Sequence, residues 1–266
     1  MPSFPLVPAQ SARLKRFNAT RSVDMHCHIL PGVDDGPRNP AEAIALCRLL
    51  VEDGITDVIA TPHQLGRWDG TNNASAVRKA VSQLQAEVSQ AKLPLTIHAG
   101  GEVRLDERIP KLLQTDQVQT LGDGKRYLLL ELPPSLLVDP KILVPFLTGG
   151  NSGMRIVLAH AERYDALIGA EDMEAAVGAW TSLGVVLQVN ASSLLGESGE
   201  WAENAAWHWL ERGWVALLAS DAHSTGRRRP RLQEAIDEIV ERLGDDVAKR
   251  VCSENPVRLL EGRELV

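Results

Sequence analysis

The chain has 266 residues, 44% of them apolar, and a formal charge of −7 at pH 7. Length and core fraction suit one α/β barrel, and an acidic balance with no basic stripe argues against an electrostatic nucleic-acid binder. The cysteines Cys27, Cys47 and Cys252 are odd in number, widely spaced and without a C-x-x-C pair, which excludes a disulfide framework and points to a reducing compartment.

Prolines and basic residues (Pro2, Pro5, Pro8, Arg13, Lys15, Arg16) interrupt the first 22 positions, which read as an irregular extension without the apolar run of a secretory signal. No stretch approaches a membrane span, so the expected location is the cytoplasm, without membrane insertion. From Val23 the chain alternates between short apolar runs and helical periodicity. Strands are expected at 23–29, 57–62, 95–100, 127–132, 155–159, 185–189 and 215–219. Helices are expected at 40–53, 73–91, 109–114, 140–147, 173–183, 200–212, 231–243 and 256–261. Nearly continuous apolar strands belong to a parallel sheet buried on both faces. Seven of them, each followed by helix, predict a closed or nearly closed β/α barrel over residues 23–266, with no composition shift to divide it.

The strand ends carry the chemistry. Side chains alternate along a strand, so His26 and His28 share one face while Met25 and Cys27 take the other. The following strands end on His63, Glu102, Glu131, His160, Asn190, and then Asp221 with His223. In a β/α barrel these ends form one rim. Asp35, in the Gly/Pro-rich turn after the first strand, reaches that rim better than Asp34. Five histidines and four carboxylates (His26, His28, Asp35, His63, Glu102, Glu131, His160, Asp221 and His223) exceed what a single ion takes and predict two or three metal ions. Mixed imidazole and carboxylate donors suit manganese, iron, magnesium or zinc, and the oxygen content leans towards manganese.

Three divalent ions would leave about two positive charges in the pocket against four carboxylates, enough to attract a phosphate dianion. Coordination also lowers the pKa of water to roughly 7, which makes a metal-bridged hydroxide a nucleophile for in-line attack on phosphorus. Arg163 and one or more of Arg227, Arg228 and Arg229 lie just past rim strands, where guanidinium forks match phosphate oxygens. At least two members of Arg227–Arg231 are expected to be solvated loop residues. His98 reads as a packed histidine or one supporting a ligand from behind, and His208 as a packing or interface residue. Cys252 and Arg258 have the C-x5-R spacing of cysteine-dependent phosphatases, but no glycine lies between them and Pro256 removes a donor, so Ser253 or Asn255 capping the last helix is the better reading.

Together Asp24–Pro37, Thr61-Pro62-His63, Gly101-Glu102, Glu131, His160–Tyr164, Asn190–Leu194 and Ser220–His223 resemble the polymerase-and-histidinol-phosphatase (PHP) superfamily, within it the bacterial protein tyrosine phosphatases of capsule and exopolysaccharide synthesis. The resemblance implies a distorted (β/α)7 TIM-like barrel with a trinuclear, usually manganese site at the C-terminal rim of its strands. It puts the nine candidates on the metal ligands and Arg163 and Arg228 on the phosphate-binding arginines. The implied substrate is the phosphotyrosine tail of a membrane-associated bacterial tyrosine autokinase. Departures are Ser224 in place of a common Asn, Gln64 in place of a basic or imidazole residue, and a longer N-terminal arm. Gln64–Asn72 and the arm are expected to bear on substrate choice. Two other readings stand beside this one: the same chemistry on a small phosphomonoester such as histidinol phosphate or a nucleotide, and a non-catalytic regulator of the polysaccharide machinery.

Overall fold

The computed structural model describes residues 21–133, 135–136, 138–148 and 153–266. Of the expected extension, all but Arg21 and Ser22 lie outside these residues. Those two are tied down, Arg21 to the Asp57 carboxylate at 2.6 Å and the Ser22 N–H to Thr56 Oγ1 at 2.9 Å.

Nine strands run through the described residues: β1 (Val23–Cys27), β2 (Asp57–Ala60), β3 (His63–Gln64), β4 (Thr96–Ala99), β5 (Glu102–Arg104), β6 (Tyr127–Glu131), β7 (Arg155–Leu158), β8 (Val186–Asn190) and β9 (Val215–Ala219). All pair in parallel, in the orders β1-β2-β4 and β3-β5-β6-β7-β8-β9. The chain passes from β2 to β3 across Thr61-Pro62 and from β4 to β5 across Gly100-Gly101, so the nine segments make the seven expected staves, two of them broken. The glycines permit the second break. A Cβ on Gly100 would stand 2.5 Å from Ile59 Cγ2, and one on Gly101 would collide with the Gln64 amide. β1 meets the segment after β9 through Asp221 N–H to His26 O (2.9 Å) and His28 N–H to Ala222 O (2.8 Å). First and last staves therefore adjoin, and the fold is a distorted (β/α)7 TIM-like barrel.

Alternation along β6 separates two cores. Tyr127 and Leu129 share a face with Glu131 and belong to a smaller cluster inside the ring, with Val23, Met25, Ile59, Val157 and Leu217. Leu128 and Leu130 belong to the larger cluster between ring and helices. Strict alternation fails in β1: Met25 packs inside the ring and Cys27 outside it. The cause is a register irregularity between Asp24 and Cys27, which shifts the phase just before His26 and lets both histidines face inward above Met25.

The expected helices all form. Asn39, Asn73 and Asp172 cap Pro40–Glu52, Ala74–Gln90 and Met173–Thr181 through their side chains. Leu232–Leu243 takes its cap from a distant residue, Asp53, whose carboxylate accepts the Leu232 N–H at 2.7 Å. At the C-terminus neither Ser253 nor Asn255 caps anything. A helix over Asp245–Lys249 continues through a π turn (Arg250–Glu254) into Asn255–Leu260, while the Asn255 side chain bonds Ala216 O and the Val266 backbone. Trp207 and Trp209 are buried, Trp201 is exposed, and His208 packs edge-on against Trp214.

Candidate metal centre

All nine side chains expected at the rim converge. Glu102, 1% exposed, lies at the middle: its Oε1 meets His160 Nε2 at 2.8 Å and its Oε2 meets His63 Nδ1 at 2.9 Å and His28 Nε2 at 3.3 Å. Asp221 Oδ1 stands 3.5 Å from Nε2 of both His26 and His28. Asp35 Oδ1 faces His63 Nε2 at 3.4 Å and His223 Nε2 at 3.3 Å. Glu131, on the open side, is 3.9 Å from His63 and pairs with Arg104 at 2.8 Å. Three groups have donor atoms close enough for one ion each: His28, Asp35, His63 and His223; His26, His28 and Glu102; and His63, Glu102 and Glu131. They overlap at His28, His63 and Glu102.

Three of the imidazoles are oriented from behind. His26 Nδ1 faces Gln188 Oε1 (3.1 Å), His28 Nδ1 faces Asp34 Oδ2 (2.7 Å), and His223 Nδ1 faces the Asp221 carbonyl (2.9 Å). Each partner is an acceptor, so each Nδ1 carries the proton and each Nε2 lone pair points into the cluster. There His26 Nε2 and His28 Nε2 lie 3.3 Å apart among carboxylates, and His223 Nε2 is buried without a hydrogen-bond partner. Lone pairs aimed at one another and at carboxylate oxygens are repulsive unless a positive charge lies between them. The donor set therefore fits divalent cations. The charges agree. Burial pulls His28 down, but the Asp34 and Glu102 carboxylates outweigh it and lift His28 well above the ordinary imidazole value. Burial opposes ionisation of Glu102 as well, yet the facing histidines hold it well below the carboxylate range.

Two rim residues have left-handed backbone, His160 at φ +32° and Asp221 at φ +51°. Such conformations cost free energy in non-glycine residues and persist where the surroundings fix them. Here the His160 N–H donates to Gln188 Oε1 (2.9 Å) and Asn190 Nδ2 donates to Asp221 Oδ2 (2.9 Å).

A cavity of about 260 Å³ opens above the cluster, walled by Leu132, Leu158 and Tyr164 and reached by two arginines. Arg163 and Arg228 both donate to Asp221 Oδ2, at 3.4 and 3.1 Å, and Arg228 also approaches Asp35 at 3.5 Å. Of the neighbouring run, Arg227 and Arg229 are exposed, as expected of loop residues, and Arg231 pairs with Glu197 and Glu234.

Two residues outside the expected set take part in the site, Gln188 and, in an orienting role, Asp34. Gln188 is a fully buried amide on β8 that serves both His26 and His160; its signal is a polar residue amid Val185–Val189, two positions before Asn190. Gln64 turns away from the rim, donating to Asn72 O and accepting from the Gln119 N–H, while Leu65, Gly66, Arg67 and Trp68 of the same segment line a cavity beside the cluster. His98 pairs with Asp57 at 2.8 Å, away from the cluster. Cys252 is buried in the outer core, and burial pushes its thiol well above the ordinary value, the reverse of a nucleophilic thiolate.

Seven parallel staves closed around a rim of imidazoles and carboxylates define a β/α barrel of the polymerase-and-histidinol-phosphatase kind. Within that class the chain belongs to the family described as capsular polysaccharide synthesis, CpsB/CapC, which it matches over residues 22–261. It is 29% identical to the tyrosine-protein phosphatase YwqE of Bacillus subtilis over 252 residues, covering 92% of this chain and 91% of YwqE. It is 30% identical to the putative tyrosine-protein phosphatase CapC of Staphylococcus aureus over 77% of this chain and 78% of CapC. A solved structure from the work on B. subtilis YwqE and Streptococcus pneumoniae CpsB, described there as unique metal-dependent tyrosine phosphatases, superposes with a TM-score of 0.84 at 28% identity, covering 92% of this chain and 96% of that one.

Proposed function

We propose that this chain is a metal-dependent protein tyrosine phosphatase acting on a bacterial tyrosine autokinase of capsular or exopolysaccharide synthesis. The observation that carries this reading is the inward set of His26, His28 and His223 Nε2 atoms facing Glu102, Asp35 and Asp221 beneath two arginines. His26, His28, Asp35, His63, Glu102, Glu131, His160, Asp221 and His223 would hold the metal. Three overlapping donor groups support three ions, and the nitrogen and oxygen mixture supports manganese. Bound there, divalent ions supply Lewis acidity and lower the pKa of water to about 7.

The chain's own groups do the rest. Asp221 and Asp35 gather Arg163 and Arg228 over the pocket, where their forks grip the outer phosphoryl oxygens and oppose the charge that develops on them. The wall of Leu132, Leu158 and Tyr164 suits a phenol ring, and the Tyr164 hydroxyl is fixed by the Leu136 carbonyl. A phenol leaving group, with pKa near 10, needs little proton donation from the protein. We read residues 23–266 as one catalytic barrel, supported by the β1 seam with the segment after β9, and residues 1–22 as its extension. We place the chain in the cytoplasm with the kinase tail; no helix among the described residues is long and apolar enough to cross a membrane.

The test is hydrolysis of a phosphotyrosine peptide before and after chelation. Activity is expected to vanish with the metal and return with Mn²⁺; survival after thorough metal removal would overturn the reading. Histidinol phosphate in the same panel, if favoured in kcat/KM, would replace the protein substrate.

A further inference from the structure

We infer that an arginine-lined trench beside the metal pocket is a subsite for a second anionic group on the substrate peptide, one that flanks the reacting phosphotyrosine. The inference rests on the phosphatase reading above and adds substrate selection to it.

Beyond Arg163 and Arg228 lies a cavity of about 580 Å³, larger than the metal pocket and sharing Arg163, Asp221 and Arg228 with it. The two arginines are thus a partition: one face looks onto the metal cluster and the other onto the trench. The far part of the trench is lined by Arg227, Arg229, Ser192 and Ser198. Its one other carboxylate, Glu197, is engaged by Arg231.

Arg227 and Arg229 make no ion pair among the described residues. They share this with exposed Arg48 and Arg67, whereas Arg78, Arg108, Arg212 and Arg242 each hold a carboxylate. The loop that carries them is closed by His223 N–H and Ser224 N–H, which both donate to Arg228 O at 2.8 and 3.1 Å. Buried Pro230 and ion-paired Arg231 hold its other end. Arg227 and Arg229 thus both border this concavity, Arg229 also lining the neighbouring cleft where its charge acts on the Glu234 carboxyl, and an anion in the trench meets both.

The opposite flank of the metal pocket is balanced in charge. The cavity there, about 390 Å³, sets Asp35 and Glu131 against two arginines, Arg104 paired with Glu131 at 2.8 Å and Arg67 lying 4.7 Å above the Trp68 ring without a carboxylate. The pocket is electrostatically one-sided, and the favoured peptide carries its extra negative charge on the side of Arg227. An acidic side chain and a second phosphotyrosine offer the same chemistry.

The test uses metal-loaded full-length protein with phenyl phosphate, a phosphotyrosine peptide with neutral flanks, one with glutamates and one with a second phosphotyrosine. Wild type is expected to favour the anionic peptides by about tenfold in kcat/KM, an advantage that salt erodes. Arg227→Ser/Arg229→Ser should remove that advantage while leaving phenyl phosphate and the neutral peptide unchanged. Arg227→Glu/Arg229→Glu should disfavour the anionic peptides relative to the neutral one. The two anionic peptides separate carboxylate from phosphate as the preferred occupant. Equal kcat/KM for neutral and anionic peptides, or an equal loss on all substrates in the variants, overturns the subsite. Absence of hydrolysis on every aryl phosphate would sink the phosphatase reading instead. The trench is then judged by anisotropy of the glutamate-flanked peptide bearing a non-hydrolysable phosphonate, where equal binding by wild type and the serine variant overturns it.

Discussion

Asp34 Oδ2 stands 2.7 Å from His28 Nδ1 and also accepts the His63 backbone N–H at 3.0 Å, so one buried carboxylate orients a donor from each of two neighbouring staves. Its other oxygen takes the Gly36 N–H at 2.9 Å, which fixes the turn that presents Asp35. Asp34 touches no other side chain of the cluster, so its influence passes through His28, His63 and Asp35. Groups that orient a metal-ligating imidazole typically alter affinity 10- to 100-fold. Asp34→Ala is expected to lower Mn²⁺ affinity by about that factor, with Asp34→Asn between it and wild type because the amide oxygen still accepts from Nδ1. Metal content after dialysis against limiting Mn²⁺ reads this directly; full occupancy in Asp34→Ala would remove Asp34 from the site.

The staves and the rim were legible because each apolar run ends on a polar residue at the same end of a parallel sheet. What stayed hidden depended on partners distant in sequence. The break at Gly100-Gly101 becomes necessary only when Ile59 and Gln64 are known to lie against it. The β1 phase shift reflects pairing with β2, and left to strict alternation it placed Met25 beside Cys27 rather than inside the ring. Asp34 and Asp35 are neighbours with opposite assignments, one behind His28 and the other in front of His223, and only the folded turn separates them. Asp53 capping a helix that begins at Leu232 has no local signature at all.

Arg163 and Arg228 are half-exposed and share Asp221 Oδ2, so neither holds the fold together. Replacing either by alanine should cost about 100-fold in kcat/KM on phosphotyrosine peptide while shifting stability by less than about 1 kcal/mol. Arg228→Lys should rescue only part of the loss, since an ammonium cannot span two oxygens as the fork does. Paired kinetics and thermal melts check this. Wild-type kcat/KM in Arg228→Ala would exclude it from phosphate binding.

Cys252→Ser separates metal-centred chemistry from the cysteine mechanism suggested by the C-x5-R spacing. The thiol is 5% exposed in the outer core, within a π turn. Phosphatase activity should remain within about twofold of wild type, with at most a modest loss of stability from placing a hydroxyl among apolar neighbours, of order 1 kcal/mol. Loss of activity in a folded variant would reopen the cysteine route.

The Asp53 carboxyl gives the barrel a stability that varies with pH. Burial pushes it up to about 7, against the pull of the Leu232 and Gln233 N–H groups that it caps. In the unfolded chain the same group titrates near 4. Below about pH 4 both states hold the proton and Asp53 carries no penalty. Between about pH 4 and 7 the unfolded state releases its proton while the folded state keeps it, so this contribution to stability is lost as pH rises and levels off above 7. At 1.36 kcal/mol per unit the whole loss is roughly 4 kcal/mol. Asp53→Asn keeps an oxygen for the Leu232 N–H and has nothing to ionise. It should match wild type near pH 4 and melt several degrees above it at pH 8, both measured in one buffer series at constant ionic strength. Parallel melting curves for the two proteins across that range would show that Asp53 is as readily ionised folded as unfolded.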